Sequence, residues 1–247
     1  MKLSLSAMGW GSLLAAFLLC TQANASVVIA TTRVVYPAES SEVTVRLSNE
    51  GRYPSLVQAW VDEGGPEDAE GELEGPFSVT PGLFRLDPGK RQSLRVLHDG
   101  RAMPADQESL HWLNVLDVPP KGGGDNSLQI SLRTRIKLFY RPQGLVGKPA
   151  DAHARLTWRL VREPQGWMLQ ADNPTPYHVN LAKLEAVQPG SALPASVGHV
   201  APRGSARFAL SSAPSRPEGV SQVRYQYLDD YGASREAVSL LQSPEGR

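Results

Sequence analysis

The chain has 247 residues, with 25 lysines and arginines against 25 aspartates and glutamates. This balance leaves no overall basic field, which argues against nucleic acid as a partner. Its 20 prolines and 22 glycines, without a long stretch of helical periodicity, exclude a mainly helical protein and favour an all-β chain with many turns.

The first 25 residues have the features of a signal peptide. Lys2 precedes an apolar run from Gly11 to Cys20, and Ala23-Asn24-Ala25 is a small-x-small cleavage site. The sequence therefore predicts cleavage after Ala25 and export. The apolar run is short for a membrane span and no later segment could cross a bilayer, so the mature chain is not expected to be membrane-embedded. Cys20 is the only cysteine, so an exported chain would have no disulfide framework.

The first half of the mature chain alternates apolar and polar residues, with turn signals at short intervals. The predicted strands are 27–35, 43–47, 56–61, 77–80, 83–86, 94–98 and 108–118. The acidic, glycine-rich segment Asp62–Gly75 is predicted to be a solvated loop. Pro119–Asn126 is predicted to be a flexible loop. This spacing of short strands is typical of an immunoglobulin-like sandwich.

A longer strand is predicted from Ser127 to Pro142. Leu128, Ile130, Leu132, Ile136 and Leu138 fall on one face at period two, broken by Thr134, and polar residues fall on the other. The eleven residues from Leu128 to Leu138 would span roughly 36 Å as a strand, whereas a usual strand has about five or six residues. A small core cannot easily cover that length. Two interpretations stay open on pattern alone: a long core strand, or a strand whose free half is offered to another protein.

The pattern restarts after the segment Pro142–Gly144, which is predicted to be a hinge. Further strands are predicted at 154–161, 167–171, 178–186, 206–210, 223–228 and 236–241, with a loop at 188–194. The predicted organisation is a signal peptide (1–25), an N-terminal immunoglobulin-like domain (26–141), a hinge (142–144) and a C-terminal immunoglobulin-like domain (145–247).

Motifs for catalysis, metal binding or cofactor binding are not found. The mature chain has no thiol, and it lacks G-x-S-x-G, H-E-x-x-H and a phosphate-binding glycine loop. The five histidines are scattered without metal-ligand spacing. We therefore expect no catalytic residue, no metal, no cofactor and no enzymatic activity.

Seven motifs along the chain resemble periplasmic pilus-assembly chaperones of the PapD-like family, in that family's order. They are Thr32–Pro37, Gln58–Trp60, Leu86–Gly89, Glu108–Leu110 with Asn114 and Pro119-Pro120, Ile136–Pro142, Asn173–Tyr177 and Asp230–Gly232. Each motif is weak by itself, but together they cover essentially the whole mature chain. Some family members carry a disulfide, which this sequence lacks.

The resemblance implies two immunoglobulin-like domains set at an angle, and a periplasmic chaperone that binds pilin subunits. It implies that the long strand is lent to a subunit by donor-strand complementation, through Leu128, Ile130 and Leu132. It also implies delivery to an outer-membrane usher, for cell-surface pilus (fimbrium) assembly. Self-association of the free chaperone, which would cover its apolar strand, stays open.

The resemblance assigns two further groups of residues. Arg33 and Lys137 match the family's anchor for the subunit's C-terminal carboxylate. Glu108, Arg141 and Asp230 match an ionic cluster that fixes the angle between the domains. The alternative function is a secreted immunoglobulin-like adhesin or binding module with no chaperone role, which would share the signal peptide and both sandwiches.

Overall fold

The computed structural model describes residues 26–64, 75–121, 129–211, 217 and 219–242. The predicted signal peptide, its cleavage site and Leu128 therefore lie outside the described residues. Among the residues that are described, no helix is long and apolar enough to cross a membrane.

The first half of the chain forms a sandwich of two sheets. One sheet has the order β1-β3-β7-β5, with β1 (Val27–Ile29), β3 (Glu42–Asn49), β7 (Arg91–His98) and β5 (Phe77–Thr80). The other has the order β2-β9-β8-β4-β6, with β2 (Arg33–Pro37), β9 (Leu132–Arg141), β8 (Ser109–Val118), β4 (Ser55–Asp62) and β6 (Leu83–Leu86). Alternate residues of each sheet, such as Val57 on β4 and Leu94 and Val96 on β7, are fully buried between the sheets. Burying each aliphatic side chain of this kind contributes about 1.5–3 kcal/mol, which accounts for the alternation in the sequence.

The predicted first strand, 27–35, is in fact two strands in different sheets. β1 pairs with β3, whereas β2 pairs in parallel with β9. At the break, the hydroxyl of Thr31 donates to the carbonyl of Arg33 at 2.7 Å and replaces sheet pairing locally. The parallel pairing places Arg33 directly beside Lys137.

The long strand is shorter than predicted. β9 begins at Leu132 rather than Ser127, and it ends at Arg141 as Pro142 requires. Its first antiparallel partner is Asp117 on β8, and two consecutive prolines, 119 and 120, follow Val118, the last residue of β8. Because proline cannot donate a backbone hydrogen bond, the chain beyond β8 offers no backbone donor opposite residues 129 and 130.

The second half of the chain forms another sandwich. A three-stranded sheet contains β10 (Thr157–Glu163), β11 (Gly166–Asp172) and β15 (Ser205–Ala209). The facing sheet contains β13 (Ser191–Pro194), β12 (Val179–Gln188), β16 (Gln222–Leu228) and β17 (Ser234–Leu240), and β14 (Gly198–Val200) also pairs with β12. Trp158, Leu169, Leu184 and Tyr225 are almost completely buried between the sheets.

Two predictions in this half were wrong. The start of the strand predicted at 154–161 is the end of a 3₁₀ helix, Pro149–Arg155, where proline favours the first helical turn. Part of the loop predicted at 188–194 is β13, which forms a hairpin with β12 through Pro189 and Gly190. Gly190 has a φ of +77°, a conformation that glycine adopts without strain. The predicted fold class, all-β with two immunoglobulin-like sandwiches, is confirmed.

Candidate functional site

The apolar face of β9 changes its environment along the strand. Leu138 is completely buried and Ile136 is 8% exposed, and both belong to the core of the first sandwich. Leu132 is 47% exposed, and Ile130, just before the strand, is 64% exposed. The same row of aliphatic side chains therefore serves the core at one end and faces solvent at the other.

One edge of β9 is also open at the exposed end. β2 pairs with β9 only from Lys137 to Arg141. Among the described residues, the segment 132–136 pairs with β8 on one side and with no strand on the other. An open strand edge carries unpaired N–H and C=O groups that can pair with another chain. The exposed aliphatic side chains and this open edge thus belong to the same stretch.

Arg33 and Lys137, called here the cation pair, lie at the point where the open edge ends. Arg33 is only 7% exposed, its Nη1 donates to the carbonyl of Leu228 at 3.3 Å, and its buried Nε has no partner among the described residues. Burial lowers the pKa of Arg33, opposed by the charges of Asp230 and Asp229. Buried donors of this kind are normally satisfied, so an unsatisfied one suggests a missing acceptor.

Lys137 is held by the second domain. Its Nζ donates to Oδ1 of Asn180 at 2.6 Å. Burial and the neighbouring charge of Arg33 lower the pKa of Lys137 to about 8. Within the described parts of the chain, neither member of the cation pair forms an ion pair with a carboxylate. Two adjacent, partly desolvated cations without a counter-ion form a site suited to an anion.

Arg133 and Arg135, on the same face of β9, are already neutralised. Arg135 forms an ion pair with Asp62 at 2.9 Å, and Arg133 does so at 3.3 Å. Arg133 also lies over the ring of Trp60 at 5.1 Å, and Arg135 lies over Trp112 at 4.7 Å. These contacts distinguish the two arginines from the cation pair.

Asp62 is not part of a solvated loop as the sequence predicted. The sequence placed it at the start of a solvated loop, but it is the last residue of β4 and only 6% exposed. Its carboxylate accepts from Asn114 at 2.8 Å as well as from the two arginines. Asp62 directly follows the buried Val61, so its burial departs from the alternation of β4, and its charge can be buried because it is fully paired.

Glu108, Arg141 and Asp230, called here the hinge cluster, are brought together across the two sandwiches. Nε of Arg141 donates to Glu108 at 2.7 Å, and its two terminal nitrogens donate to the two oxygens of Asp230 at 2.8 Å each. Burial alone would lower the pKa of Arg141, but its hydrogen bonds to Asp230 and the nearby charges of Glu108 and Asp230 raise it above the usual value. The planar guanidinium therefore links a carboxylate from each domain.

The second oxygen of Glu108 also binds the other domain. It accepts from the backbone N–H of His178 at 2.7 Å, and the ring Nδ1 of His178 lies 3.3 Å away. The backbone N–H of Glu108 donates to the carbonyl of Pro176 at 2.9 Å. Glu108, at 3% exposure, is the most buried acid of the hinge cluster. Sequence motifs did not single out His178 or Asn180, because their roles depend on contacts between domains.

A cleft of about 410 Å³ runs between the two sandwiches. It is lined from the first domain by Arg33, Glu108, Phe139 and Arg141, and from the second by residues that include His178, Asn180, Tyr227 and Asp230. In the ranges that the structure describes, no three histidine, cysteine, aspartate or glutamate side chains could together hold a metal ion. The site is thus a charged cleft joined to an exposed apolar strand.

Two family models match the chain. Residues 26–146 match the N-terminal domain of the PapD pili and flagellar-assembly chaperones, and residues 151–239 match the C-terminal domain of the PapD pili assembly chaperones. The chain belongs to the PapD family of pilus-assembly chaperones. This family consists of chaperones and not of enzymes, and membership favours the chaperone function over the adhesin alternative.

The chain is similar to chaperones from several organisms. The chaperone protein FimB/FhaD of Bordetella pertussis is 46% identical over 221 residues, which cover 87% of each chain. The crystal structure of the Pseudomonas aeruginosa CupB2 chaperone is 36% identical, with a TM-score of 0.73, and the match covers 87% of this chain and all of that one. A chain of the Salmonella enterica SafA pilin–SafB chaperone complex is 29% identical, with a TM-score of 0.72, and the match covers 89% of this chain and 98% of that chain.

Proposed function

We propose that this PapD-family chain is a periplasmic chaperone that lends its β9 segment to a fimbrial subunit lacking a strand of its own. The observation that carries the proposal is the division of β9, which is core at Ile136 and Leu138 but exposed, and open at its edge, around Leu132. Strand addition is an established mode of recognition, of which chaperone–pilin complexes are a known example. The subunit would pair its own open groove with this edge.

The exposed side chains supply the apolar part of this binding. Main-chain hydrogen bonds along 132–136 provide pairing that is independent of sequence, and Ile130 and Leu132 fill the groove of the subunit. Leu128 has the same parity, and we include it in the donor segment. A fully buried aliphatic side chain is worth about 1.5–3 kcal/mol, before the cost of ordering both partners.

The cation pair anchors the end of the subunit. A C-terminal carboxylate entering the cleft would accept charge-assisted hydrogen bonds from Arg33 and Lys137. The anchor fixes the register, because Lys137 is five residues from Leu132 on β9, roughly 16 Å along an extended strand. A slip of one residue would turn the wrong side chains toward the groove.

The hinge cluster would hold the two sandwiches at the angle that this binding needs. Arg141 is the last residue of β9, four positions after Lys137, and both Arg141 and Asp230 line the cleft. The proposal includes residues 1–25 as the signal peptide, 26–141 and 145–247 as the two domains, and delivery of the bound subunit to an outer-membrane usher.

Recovery of a co-expressed pilin from periplasmic extract tests this function. The parent chain should recover the pilin at 1:1 in native mass spectrometry, and Arg33→Ala or Lys137→Ala should fold but recover little. Arg133→Ala is the matched control, because it removes a cation from the same face that is already paired with Asp62. Normal recovery by both anchor variants would refute the assignment. A free chaperone that sediments as a dimer and dissociates on binding pilin would show that a second copy covers the exposed strand.

A further inference from the structure

His199 lies beside the cation pair on the second domain. It is on β14, directly opposite Asn180 of β12 in the antiparallel register. Its neighbour Val200 is completely buried in the core, so His199 must point to the opposite face, toward the first domain. Asn180 lies on this same face and accepts the hydrogen bond from Lys137. Cross-strand partners of this kind have Cβ atoms about 4.5–5.5 Å apart.

The groups around His199 are mostly cationic or aromatic. Its ring centroid lies 5.8 Å from that of His178, whose ring in turn lies 5.3 Å from Phe139. From the first domain, Lys137 faces His199. Glu108 lies on the far side of His178 and accepts a hydrogen bond from the backbone N–H of His178. The pKa of His199 is lowered to about 4, mainly by burial, then by the charge of Lys137 and last by the charge of His178. His199 is therefore neutral at neutral pH in the chain alone.

We propose that His199 is a third ligand of the anion held by Arg33 and Lys137, and that below neutral pH it takes up a proton when the subunit's carboxylate enters. This inference rests on the proposed function and adds a residue and a pH dependence to it. Before binding, Lys137 repels a proton on His199. An arriving carboxylate neutralises that repulsion and supplies an acceptor for the imidazolium N–H.

The direction of the effect follows from linkage. The charged imidazolium favours the carboxylate-bound state, so binding raises the pKa of His199. At neutral pH neither state carries the proton, and affinity is independent of it. As the pH falls toward about 4, only the bound state takes up the proton and affinity rises. Below about 4 His199 is protonated in both states and adds no further affinity, and the peptide carboxylate itself begins to lose its charge. An opposite charge within about 4–6 Å commonly moves a pKa by about one to three pH units. A rise of two units makes binding about tenfold tighter at pH 5 than at pH 7.

The test uses the mature chain and N-acetyl-tetra-alanine with a free C-terminal carboxylate, with its C-terminal amide as the control. The His199 ring is followed by NMR between pH 4 and 8, and it is assigned by its absence from the spectrum of His199→Gln. We expect the carboxylate peptide to raise the His199 pKa by at least one pH unit and the amide to leave it unchanged. His199→Gln should bind the carboxylate peptide equally well at pH 5 and pH 7, because glutamine cannot take up the proton that gives the parent its roughly tenfold gain.

Failure of this inference is distinguishable from failure of the anchor. If the carboxylate peptide binds and Lys137→Ala abolishes binding, but the pKa of His199 does not move, the proposal for His199 is wrong and the anchor stands. If neither peptide binds at any pH, or if the amide binds as tightly as the carboxylate, the anchor assignment is wrong and this inference falls with it.

Discussion

The sharpest test of the chaperone mechanism compares truncations along the single apolar row of β9. Ile136→Ala removes a side chain that is 8% exposed and packed in the first core. Such a truncation leaves a cavity and typically costs about 2–5 kcal/mol of unfolding free energy. Ile130→Ala and Leu132→Ala remove side chains that are 64% and 47% exposed, so each should change the stability of the free chain by about 0.5 kcal/mol or less.

The loss of subunit affinity can be scaled by the exposed fractions. Full burial of an aliphatic side chain is worth about 1.5–3 kcal/mol, so the area still exposed on Ile130 is worth about 1–2 and that on Leu132 about 0.7–1.4 kcal/mol. Together they predict about 1.7–3.3 kcal/mol for the double variant, or roughly 20- to 250-fold weaker binding. Leu240→Ala is the matched control, because Leu240 is 73% exposed on β17, away from the site. It should preserve both stability and binding.

Urea denaturation of each free variant and recovery of co-expressed pilin supply the two measurements. Ile136→Ala should lower the unfolding free energy, whereas the Ile130→Ala/Leu132→Ala double variant should unfold like the parent and lose pilin. If Ile130→Ala and Leu132→Ala destabilise the free chain as much as Ile136→Ala does, these residues belong to the core and the donor-strand mechanism is wrong.

Two further predictions concern the charged groups. The pKa of Lys137 is about 8 in the chain alone, and a bound carboxylate would raise it. Affinity for the carboxylate peptide should therefore fall as the pH rises above about 8, and a flat profile to pH 10 would contradict the anchor. Arg141→Ala leaves Glu108 buried without its partner, a change that costs about 3–5 kcal/mol for a fully buried pair, and the partial exposure of Asp230 favours the lower end. Arg159→Ala, which breaks an exposed ion pair with Asp172, should cost at most about 1 kcal/mol, and equal melting temperatures for both variants would refute the role of the hinge cluster.

The sequence predicted the two sandwiches because alternation reports which face of a strand is buried. It did not predict that the segment 27–35 crosses between sheets, because both halves are similarly rich in β-branched residues, and the break between them is marked only by local bonding at Thr31. It overextended β9, since periodicity continues to Leu128 but says nothing about where β8 stops supplying partners.

The site was predictable only where a motif named its residues. Arg33 and Lys137 are 104 positions apart, and only the parallel pairing of β2 with β9 makes them neighbours. Asp62 was assigned to a solvated loop, because its burial depends on two arginines about 70 residues away. His178, Asn180 and His199 lie in the second domain outside the matched motifs, so only the folded interface shows their relation to Lys137.

The short length of β2 accounts for both the open edge of β9 and the position of the cation pair. Its five residues pair with β9 only from Lys137 onward, which satisfies the strand edge over the core and leaves 132–136 unpaired on that side. The same pairing sets Arg33 beside Lys137, so the cation pair lies at the first position where the open edge begins. A subunit strand whose carboxylate reaches the cation pair therefore extends along the unpaired edge toward Leu132 and Ile130. A longer β2 would close the edge, and a shorter one would separate Arg33 from Lys137. Strand addition at β9 and carboxylate anchoring thus depend on the same point of the sheet, where β2 begins.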